Sequence, residues 1–255
     1  MSVIIAGTCL SGSYSKLVIS QSDKLTLYVH EDSRAPISVP INVGTIFTKN
    51  HLVSIGASPK VGVVEHLFSA LFGLNLFNVK IDVFGNEVPF FDGSSRPFVE
   101  SLVHIKESSP HDNSSLNREI LIKEQDTFIR YEPLYKDTLV IEMELSHPYI
   151  ETQKIALDIN RENYINEIAP ARTFVFTDEN DPRLKNLPPY GIGITKNMVY
   201  SATPLRFTNE LVRHKLLDLL GDLYILRKKL VGKIVGKNTL HRLNLKFATE
   251  LAQFI

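Results

Sequence analysis

The segment of residues 210–222 constrains this chain most, because it places acid–base side chains on one face of an apolar helix. His214, Asp218 and Asp222 recur every fourth residue, so they lie roughly above one another on a helix of about 3.6 residues per turn. Leucines occupy much of the remaining circumference, which predicts a largely buried helix. A buried imidazole beside carboxylates needs a compensating partner, and a metal ion is one such partner.

A polar pair at positions i and i+4 also occurs on ordinary solvated helix surfaces, and this is the alternative interpretation of the spacing. In this segment the leucines outnumber the charged side chains. Since a helix must expose one set or the other, this balance favours the buried interpretation.

A second helix is predicted over residues 63–74, where apolar side chains follow helical spacing and Gly73 stands where helices commonly end. Glu65 and His66 are adjacent near its start, so they point about 100° apart and can border one site. The alternative is an exposed first turn in which the helix dipole favours the glutamate.

Short Val-, Ile-, Leu- and Tyr-rich segments separated by Gly, Ser and Pro predict strands in both halves of the chain. The predicted strands are residues 3–5, 16–19, 24–30, 36–47, 52–55, 79–84, 120–122, 127–131, 139–145, 155–158 and 229–236. Further helices are predicted over residues 98–105, 161–168 and 243–254. Loops are predicted over residues 87–98, with Asp92 and Gly93 at the turn, and over residues 237–241.

The most polar stretch, residues 106–118, is the predicted linker between two domains. An N-terminal domain of residues 1–110 carries Glu65 and His66. A C-terminal domain of residues 111–255 carries the predicted helix of residues 210–222 and His241. Each half contains strands followed by helical segments, without sequence identity that would prove a repeat.

Composition excludes several classes of protein. The chain of 255 residues has zero formal net charge and no long basic run, which argues against a nucleic-acid partner. Its single cysteine, Cys9, excludes an internal disulfide framework. Without an apolar run long enough to span a bilayer or a basic segment at the start, we expect a cytoplasmic protein with no stable membrane insertion. The sequence leaves the oligomeric state open.

Five motifs occur in a characteristic order: VEHLFSALFGL, EVPFFDGSSRPFV, ARTF, LVRHKLLDLLGDL and HRLN. This order resembles the zinc-dependent UDP-3-O-acyl-N-acetylglucosamine deacetylases of lipid A biosynthesis. The resemblance is strong over residues 63–99 and 171–246 and weak elsewhere. It implies an α+β fold of two α/β sandwich domains with the active site between them. The activity it implies is hydrolytic removal of an N-acetyl group from an acylated nucleotide-sugar.

The resemblance implies that His66, His214 and Asp218 bind Zn²⁺ and leave a fourth position open for water, as catalytic zinc requires. Glu65 would be the general base that takes a proton from this water.

The resemblance also implies roles around the reacting amide. Thr173 would stabilise the oxyanion, and His241, held in its charged form by Asp222, would protonate the leaving amine. The substrate-binding residues it implies are Lys215 for a phosphate and Phe174 or Phe176 for the sugar or base. Taken alone, Thr173 is also compatible with an ordinary strand-end hydroxyl, Lys215 with a solvated helix residue and His241 with a loop histidine.

Departures from the family pattern occur at Leu10, Leu145 and Leu240, where substrate-facing residues are expected, and residues 191–207 form a shortened segment. They leave two alternatives open: a divergent paralogue that deacetylates another N-acetylated sugar, or a catalytically silent binding relative. Asp92 belongs to a shared motif, and we expect it to have a structural role in a turn.

Overall fold

The computed structural model describes residues 1–31, 34–108, 113–185, 187 and 190–255. These residues form an α+β fold, as the sequence predicts. Within these ranges, no helix is long and apolar enough to cross a membrane.

The strands are numbered in chain order. They are β1 Ser2–Thr8, β2 Tyr14–Gln21, β3 Thr26–His30, β4 Ile37–Val39, β5 Ile46–Lys49, β6 Leu52–Ile55, β7 Val61–Gly62, β8 Val79–Phe84, β9 Asn113–Ser115, β10 Ile120–Glu124, β11 Thr127–Glu132, β12 Leu139–His147, β13 Ile150–Asp158, β14 Phe174–Phe176, β15 Ile192–Ile194, β16 Val199–Tyr200 and β17 Lys229–Lys237. The α-helices are α1 Glu65–Gly73, α2 Arg96–Leu102, α3 Arg161–Asn163, α4 Glu210–Leu223 and α5 His241–Leu251. Helix α3 continues as a π-helical turn, Tyr164–Ile168, and 3₁₀ turns cover Pro182–Lys185 and Tyr224–Leu226.

The first sheet has the strand order β1-β2-β8-β3-β4. Two antiparallel hairpins, β1–β2 and β3–β4, flank β8, which is antiparallel to β2 and parallel to β3. The inward residues are fully buried, as Ile81 and its partner Ile19 illustrate. Because β3 lies between β4 and β8 in the sheet, no tight turn can join these two strands, and the chain passes through β5, β6, β7 and α1 before it enters β8.

The second sheet repeats this arrangement with the order β10-β11-β17-β12-β13. Hairpins β10–β11 and β12–β13 flank β17, which is antiparallel to β11 and parallel to β12. Strand β9 pairs with the first part of β17. The shared order of elements that the sequence indicates is therefore a shared sheet topology.

Helices α1 and α4 hold equivalent positions in the two halves, because each lies in the crossover that leads to the inserted strand. They pack against one another and are almost wholly buried. The approach is so close that a Cβ atom on Gly221 would lie 2.1 Å from the backbone oxygen of Glu65. This contact places the start of α1 against the last turn of α4.

Hydrogen bonds from the second half hold the ends of helices in the first half. Arg161 donates to the carbonyl of Leu74 at 2.9 Å and to that of Val103 at 2.6 Å, just beyond the last residues of α1 and α2. Positive charge is favourable at these carbonyl-rich ends. The hydroxyl of Tyr224 donates to the carbonyl of Leu76 at 2.6 Å. The two halves are therefore joined by polar contacts as well as by helix packing.

Several local predictions are wrong. The loop predicted over residues 237–241 covers only residues 238–240, since β17 extends through Lys237 and α5 begins at His241 rather than at residue 243. Leu240 is extended and precedes α5 without a side-chain cap, so no Ser, Thr, Asp or Asn marked this helix start. Part of the predicted linker forms β9. The domain boundary between residues 110 and 111 lies outside the described residues, so the division at that point stays a prediction.

The α1–α4 contact generates a test. We expect Gly221→Ala to lower the free energy of unfolding by about 1–3 kcal/mol, because the added methyl group overlaps the Glu65 backbone. Denaturant unfolding measures the change. Gly62→Ala is the matched control, since its Cβ would meet its nearest neighbours at 3.7 Å. Equal losses in the two variants would contradict a tight α1–α4 contact.

Candidate active site

The contact between α1 and α4 brings three side chains together at one buried point. His66 is the second residue of α1, and His214 and Asp218 follow one another by one turn on α4. Each offers one nitrogen or oxygen atom, and these atoms lie within 4.8 Å of one another. His214 Nε2 lies 3.2 Å from Asp218 Oδ1. The structure thus assembles the three predicted ligands from two distant parts of the sequence.

The chemistry of this cluster fits a metal ion. Burial and the neighbouring His214 lower the pKa of His66 to about 3, so its imidazole is neutral, as a ligand must be. Asp218 Oδ1 is buried and accepts no hydrogen bond from the described residues. A buried carboxylate oxygen without a donor is costly unless a cation compensates it.

The orientation of His214 also suits a ligand. Its Nδ1 lies 3.1 Å from the carbonyl oxygen of Ala171. Because a carbonyl can only accept, Nδ1 carries the proton and Nε2 presents its lone pair to the cluster. In metal-binding histidines, a hydrogen-bond acceptor on the ring nitrogen that does not bind the metal fixes the tautomer in this way.

Glu65, the first residue of α1, is 2% exposed. Burial raises the pKa of its carboxyl group to about 8. The backbone N–H of Val53 in β6 donates to Oε2 at 3.2 Å and holds the side chain in place. A carboxylate with a raised pKa is a stronger base than an ordinary glutamate.

His241 and Asp222 form a buried pair next to the cluster. His241 Nδ1 lies 2.7 Å from Asp222 Oδ2, and its Nε2 lies 3.9 Å from Asp218 Oδ1. Burial lowers the pKa of His241, but the carboxylates of Asp222 and Asp218 outweigh this and raise it to about 9. Asn244, one turn further along α5, donates to Asp222 Oδ2 at 2.9 Å. The imidazole is therefore oriented and kept protonated.

Thr173 stands where the two halves of the chain meet. Its N–H donates to the carbonyl of Gly93 at 2.7 Å, and its own carbonyl accepts from the N–H of Ile192 at 2.9 Å. A Cβ on Gly93 would lie 2.7 Å from the Thr173 methyl group, and one on Gly191 would lie 2.9 Å from it. The absence of side chains at Gly93 and Gly191 therefore leaves room for the Thr173 methyl group against both backbones.

The predicted substrate-binding residues border the same site. Lys215 Nζ donates to Asp218 Oδ2 at 2.9 Å and lies 5.4 Å from the centre of the Phe174 ring. Phe174 meets His214 at 6.0 Å between ring centres and Phe176 at 5.3 Å. Phe176 is one step further out and stacks on His147 at 3.7 Å. An aromatic surface thus runs outward from the cluster.

The three departures from the family pattern do not share one environment. Leu145 is 5% exposed and belongs to the hydrophobic core, and its expected position facing substrate stays a prediction. On β12, buried and half-exposed residues alternate, and Leu145 is on the buried face with Met143. Leu10 and Leu240 are exposed.

The sequence did not predict residues that contribute main-chain atoms to the site or that pair with residues distant in the chain. The donor from Val53 and the acceptor at Ala171 are main-chain atoms, which no side-chain pattern reveals. Ser95 Oγ donates to the carbonyl of His66 at 2.8 Å. Asn244 was visible within HRLN, three residues after His241, a spacing that places both on one helix face.

The turn at Asp92 has the predicted structural role. Asp92 Oδ1 accepts from the Ser94 N–H at 3.1 Å and from its hydroxyl at 2.7 Å, and Gly93 has a φ of +77°. Arg206 donates to Asp92 Oδ2 at 2.6 Å and to the carbonyl of Pro170 at 2.7 Å. These bonds tie the loop that contacts Thr173 to the segment that precedes α4.

Residues 2–253 match the family model described as UDP-3-O-acyl N-acetylglycosamine deacetylase. A UDP-3-O-acyl-N-acetylglucosamine deacetylase of Geotalea uraniireducens is 31% identical, over 86% of this chain and 75% of that protein. Proteins of the same name are 34% identical in Campylobacter hominis, over 82% of this chain and 81% of the relative, and 35% identical in Xanthomonas oryzae pv. oryzae, over 75% and 67%.

The Asp92–Arg206 pair generates a pH-dependent prediction. Burial raises the pKa of Asp92, but hydrogen bonds from Arg206 and Ser94 outweigh it and lower the pKa below its ordinary value of 3.8. Since the folded-state pKa is the lower one, the carboxylate contributes its full stabilisation above pH 3.8 and loses it as the pH falls through the folded-state value.

We therefore expect Asp92→Asn to reduce thermal stability at neutral pH, and the difference from wild type to shrink as the pH falls below 3.8. Thermal unfolding at a series of pH values measures it. Asp23→Asn, at an exposed position, is the control. A difference that stays constant across this range would show that the charge of Asp92 does not stabilise the fold.

Proposed function

We infer the function from one premise: this chain belongs to the UDP-3-O-acyl N-acetylglycosamine deacetylase family. It is a hydrolase that removes the N-acetyl group of UDP-3-O-acyl-N-acetylglucosamine, a step of lipid A biosynthesis. The observation that carries this proposal is the buried cluster of His66, His214 and Asp218 beside Glu65 and His241. We further propose that the enzyme works in the cytoplasm.

We propose Zn²⁺ as the cofactor, held by His66, His214 and Asp218. Two imidazoles and one carboxylate are a ligand set of catalytic zinc, which keeps a further position open. When bound, the ion polarises the amide carbonyl and lowers the pKa of a water molecule. The neutral imidazole of His66 and the Asp218 oxygen, which accepts no hydrogen bond from the described residues, support this assignment.

Glu65 is proposed as the general base. Its raised pKa and the hydrogen bond from the Val53 N–H support a carboxylate that is both basic and fixed in position. It takes the proton of the attacking water while a new carbon–oxygen bond forms at the acetyl carbonyl. The hydroxyl of Thr173 donates a hydrogen bond to the oxygen that becomes negative.

His241 is proposed as the general acid. Asp222 accepts from Nδ1, so the proton on Nε2 faces the cluster and can pass to the leaving amine nitrogen. Proton transfer lets the carbon–nitrogen bond break, and the products are acetate and the free amine. Asn244 keeps Asp222 in position for this step.

Lys215, Phe174 and Phe176 are proposed to bind substrate. Phe174 and Phe176 offer ring faces for a sugar or a base, and Lys215 supplies a positive charge for a phosphate. Lys215 also donates to Asp218, so substrate binding and the ligand cluster share one side chain.

Metal content tests the ligand assignment. We expect wild-type protein to hold about one zinc ion per chain, and His214→Ala to lose both the metal and the activity, because removing one of three protein ligands leaves an incomplete site. Elemental analysis after dialysis and a deacetylation assay measure the two. His104→Ala, at an exposed histidine, is the control. Full zinc occupancy in His214→Ala would rule this ligand set out.

The base assignment predicts a separate effect. Glu65→Gln keeps the shape of the side chain but cannot take a proton, so we expect turnover to fall by about a hundredfold or more with zinc content unchanged. Steady-state kinetics and metal analysis of the same preparation measure this. Glu119→Gln, on the surface, is the control. Turnover close to that of wild type would exclude Glu65 as the base.

A further inference from the structure

A buried ion pair lies beside the ligand cluster and has no part in the steps above. Arg172 is 3% exposed, and Glu210 is fully buried at the first residue of α4. Arg172 Nε donates to Glu210 Oε1 at 2.8 Å and Nη2 donates to Oε2 at 3.0 Å, which is a bidentate contact. The backbone N–H of Arg172 also donates to Oε1, at 3.1 Å.

The remaining donors and acceptors of this pair are also engaged. Arg172 Nη1 donates to the hydroxyls of Ser201 and Thr203, and Nη2 donates to the carbonyl of Pro204. Glu210 Oε2 accepts from the N–H of Arg206 at 2.6 Å. One ion pair thus fixes the segment that precedes α4, the start of α4 and the backbone beside Thr173.

Such a pair is weak evidence for stability. Two charges lose their hydration when they are buried, and apolar residues of similar volume often serve stability as well or better. What an apolar pair cannot supply is a bidentate geometry that fixes both distance and orientation. The role of the pair therefore follows from the groups that it holds in position.

Its position relative to His214 is specific. Ala171 and Arg172 are neighbours in the chain, and Glu210 and His214 are one helical turn apart. Two links join these segments: Arg172 to Glu210, and the Ala171 carbonyl to His214 Nδ1 at 3.1 Å. The ion pair therefore sets the distance between α4 and the very carbonyl that orients the His214 ring.

We propose that Arg172 and Glu210 are positioning residues, which hold the Ala171 carbonyl against His214 and the backbone of Thr173 in place. Through His214 they control how firmly the cluster retains a metal ion, and through Thr173 they control turnover. The effect on turnover rests on the deacetylase function proposed above, whereas the effect on metal retention does not.

The test separates positioning from stability. The double variant Arg172→Met/Glu210→Leu removes both charges, retains apolar volume and leaves neither charge buried alone. The matched control is Arg213→Met/Glu167→Leu. It removes another ion pair of α4, in which Arg213 Nη1 lies 2.6 Å from Glu167 Oε2. Glu167 lies shortly before Ala171 in the chain. Arg172→Lys retains the charge but cannot make the bidentate contact.

Three measurements are made on each zinc-loaded protein: thermal midpoint, rate of zinc release to a chromogenic chelator, and kcat and KM. We expect the Arg172→Met/Glu210→Leu protein to release zinc about 10- to 100-fold faster and to lose a similar factor in kcat, the scale of a lost partner of a metal ligand. KM and the thermal midpoint should change little. Arg172→Lys should be intermediate, and the control should match wild type.

Wild-type zinc release and kcat in a folded Arg172→Met/Glu210→Leu protein would overturn the proposal. Equal acceleration of zinc release in the control would overturn it too, since the effect would then follow from any ion pair of α4. If the double variant does not fold, the zinc-release rate and the kcat of Arg172→Lys decide the test. Faster zinc release without deacetylation in any of the proteins, wild type included, would refute the proposed function and leave the positioning role intact.

Discussion

The backbone contact between α1 and α4 is the constraint on which the site depends. Gly221 permits it, because any side chain at that position would overlap the backbone of Glu65. With the two helices this close, His66 at the start of α1 meets His214 and Asp218 on α4. The same closeness excludes water, which gives Glu65 and His66 their shifted pKa values.

The two sheets explain why these helices can meet. In each half, the inserted strand lies between two hairpins and is not adjacent to the strand that precedes it in the chain, so a long connection leads into it. These connections contain α1 and α4, and the packing of one against the other covers both apolar helices. The topology thus supplies a buried helix pair, and the polar residues on that pair supply the chemistry.

Periodicity predicted what is local. The spacing of His214, Asp218 and Asp222 and the leucines around them identified α4 as a buried, polar-striped helix, and the Asp92–Gly93 turn followed from residue type alone. Neither the Val53 N–H nor the Ala171 carbonyl could be predicted, since they depend on tertiary placement of main-chain atoms. A motif position likewise does not show which face of a strand is buried, and the structure places Leu145 on the buried face of β12.

The shared strand order of the two sheets has a mechanical consequence. His66 comes from the first half of the chain, and His214 and Asp218 come from the second, so an ion held by all of them is a cross-link between the halves. Binding of this ion would stabilise the association of the two halves. The stabilisation grows with the logarithm of the ratio of the free metal concentration to the dissociation constant. Loss of the ion would loosen the molecule at the surface where it reacts, while each sheet keeps its own hydrogen-bonded core.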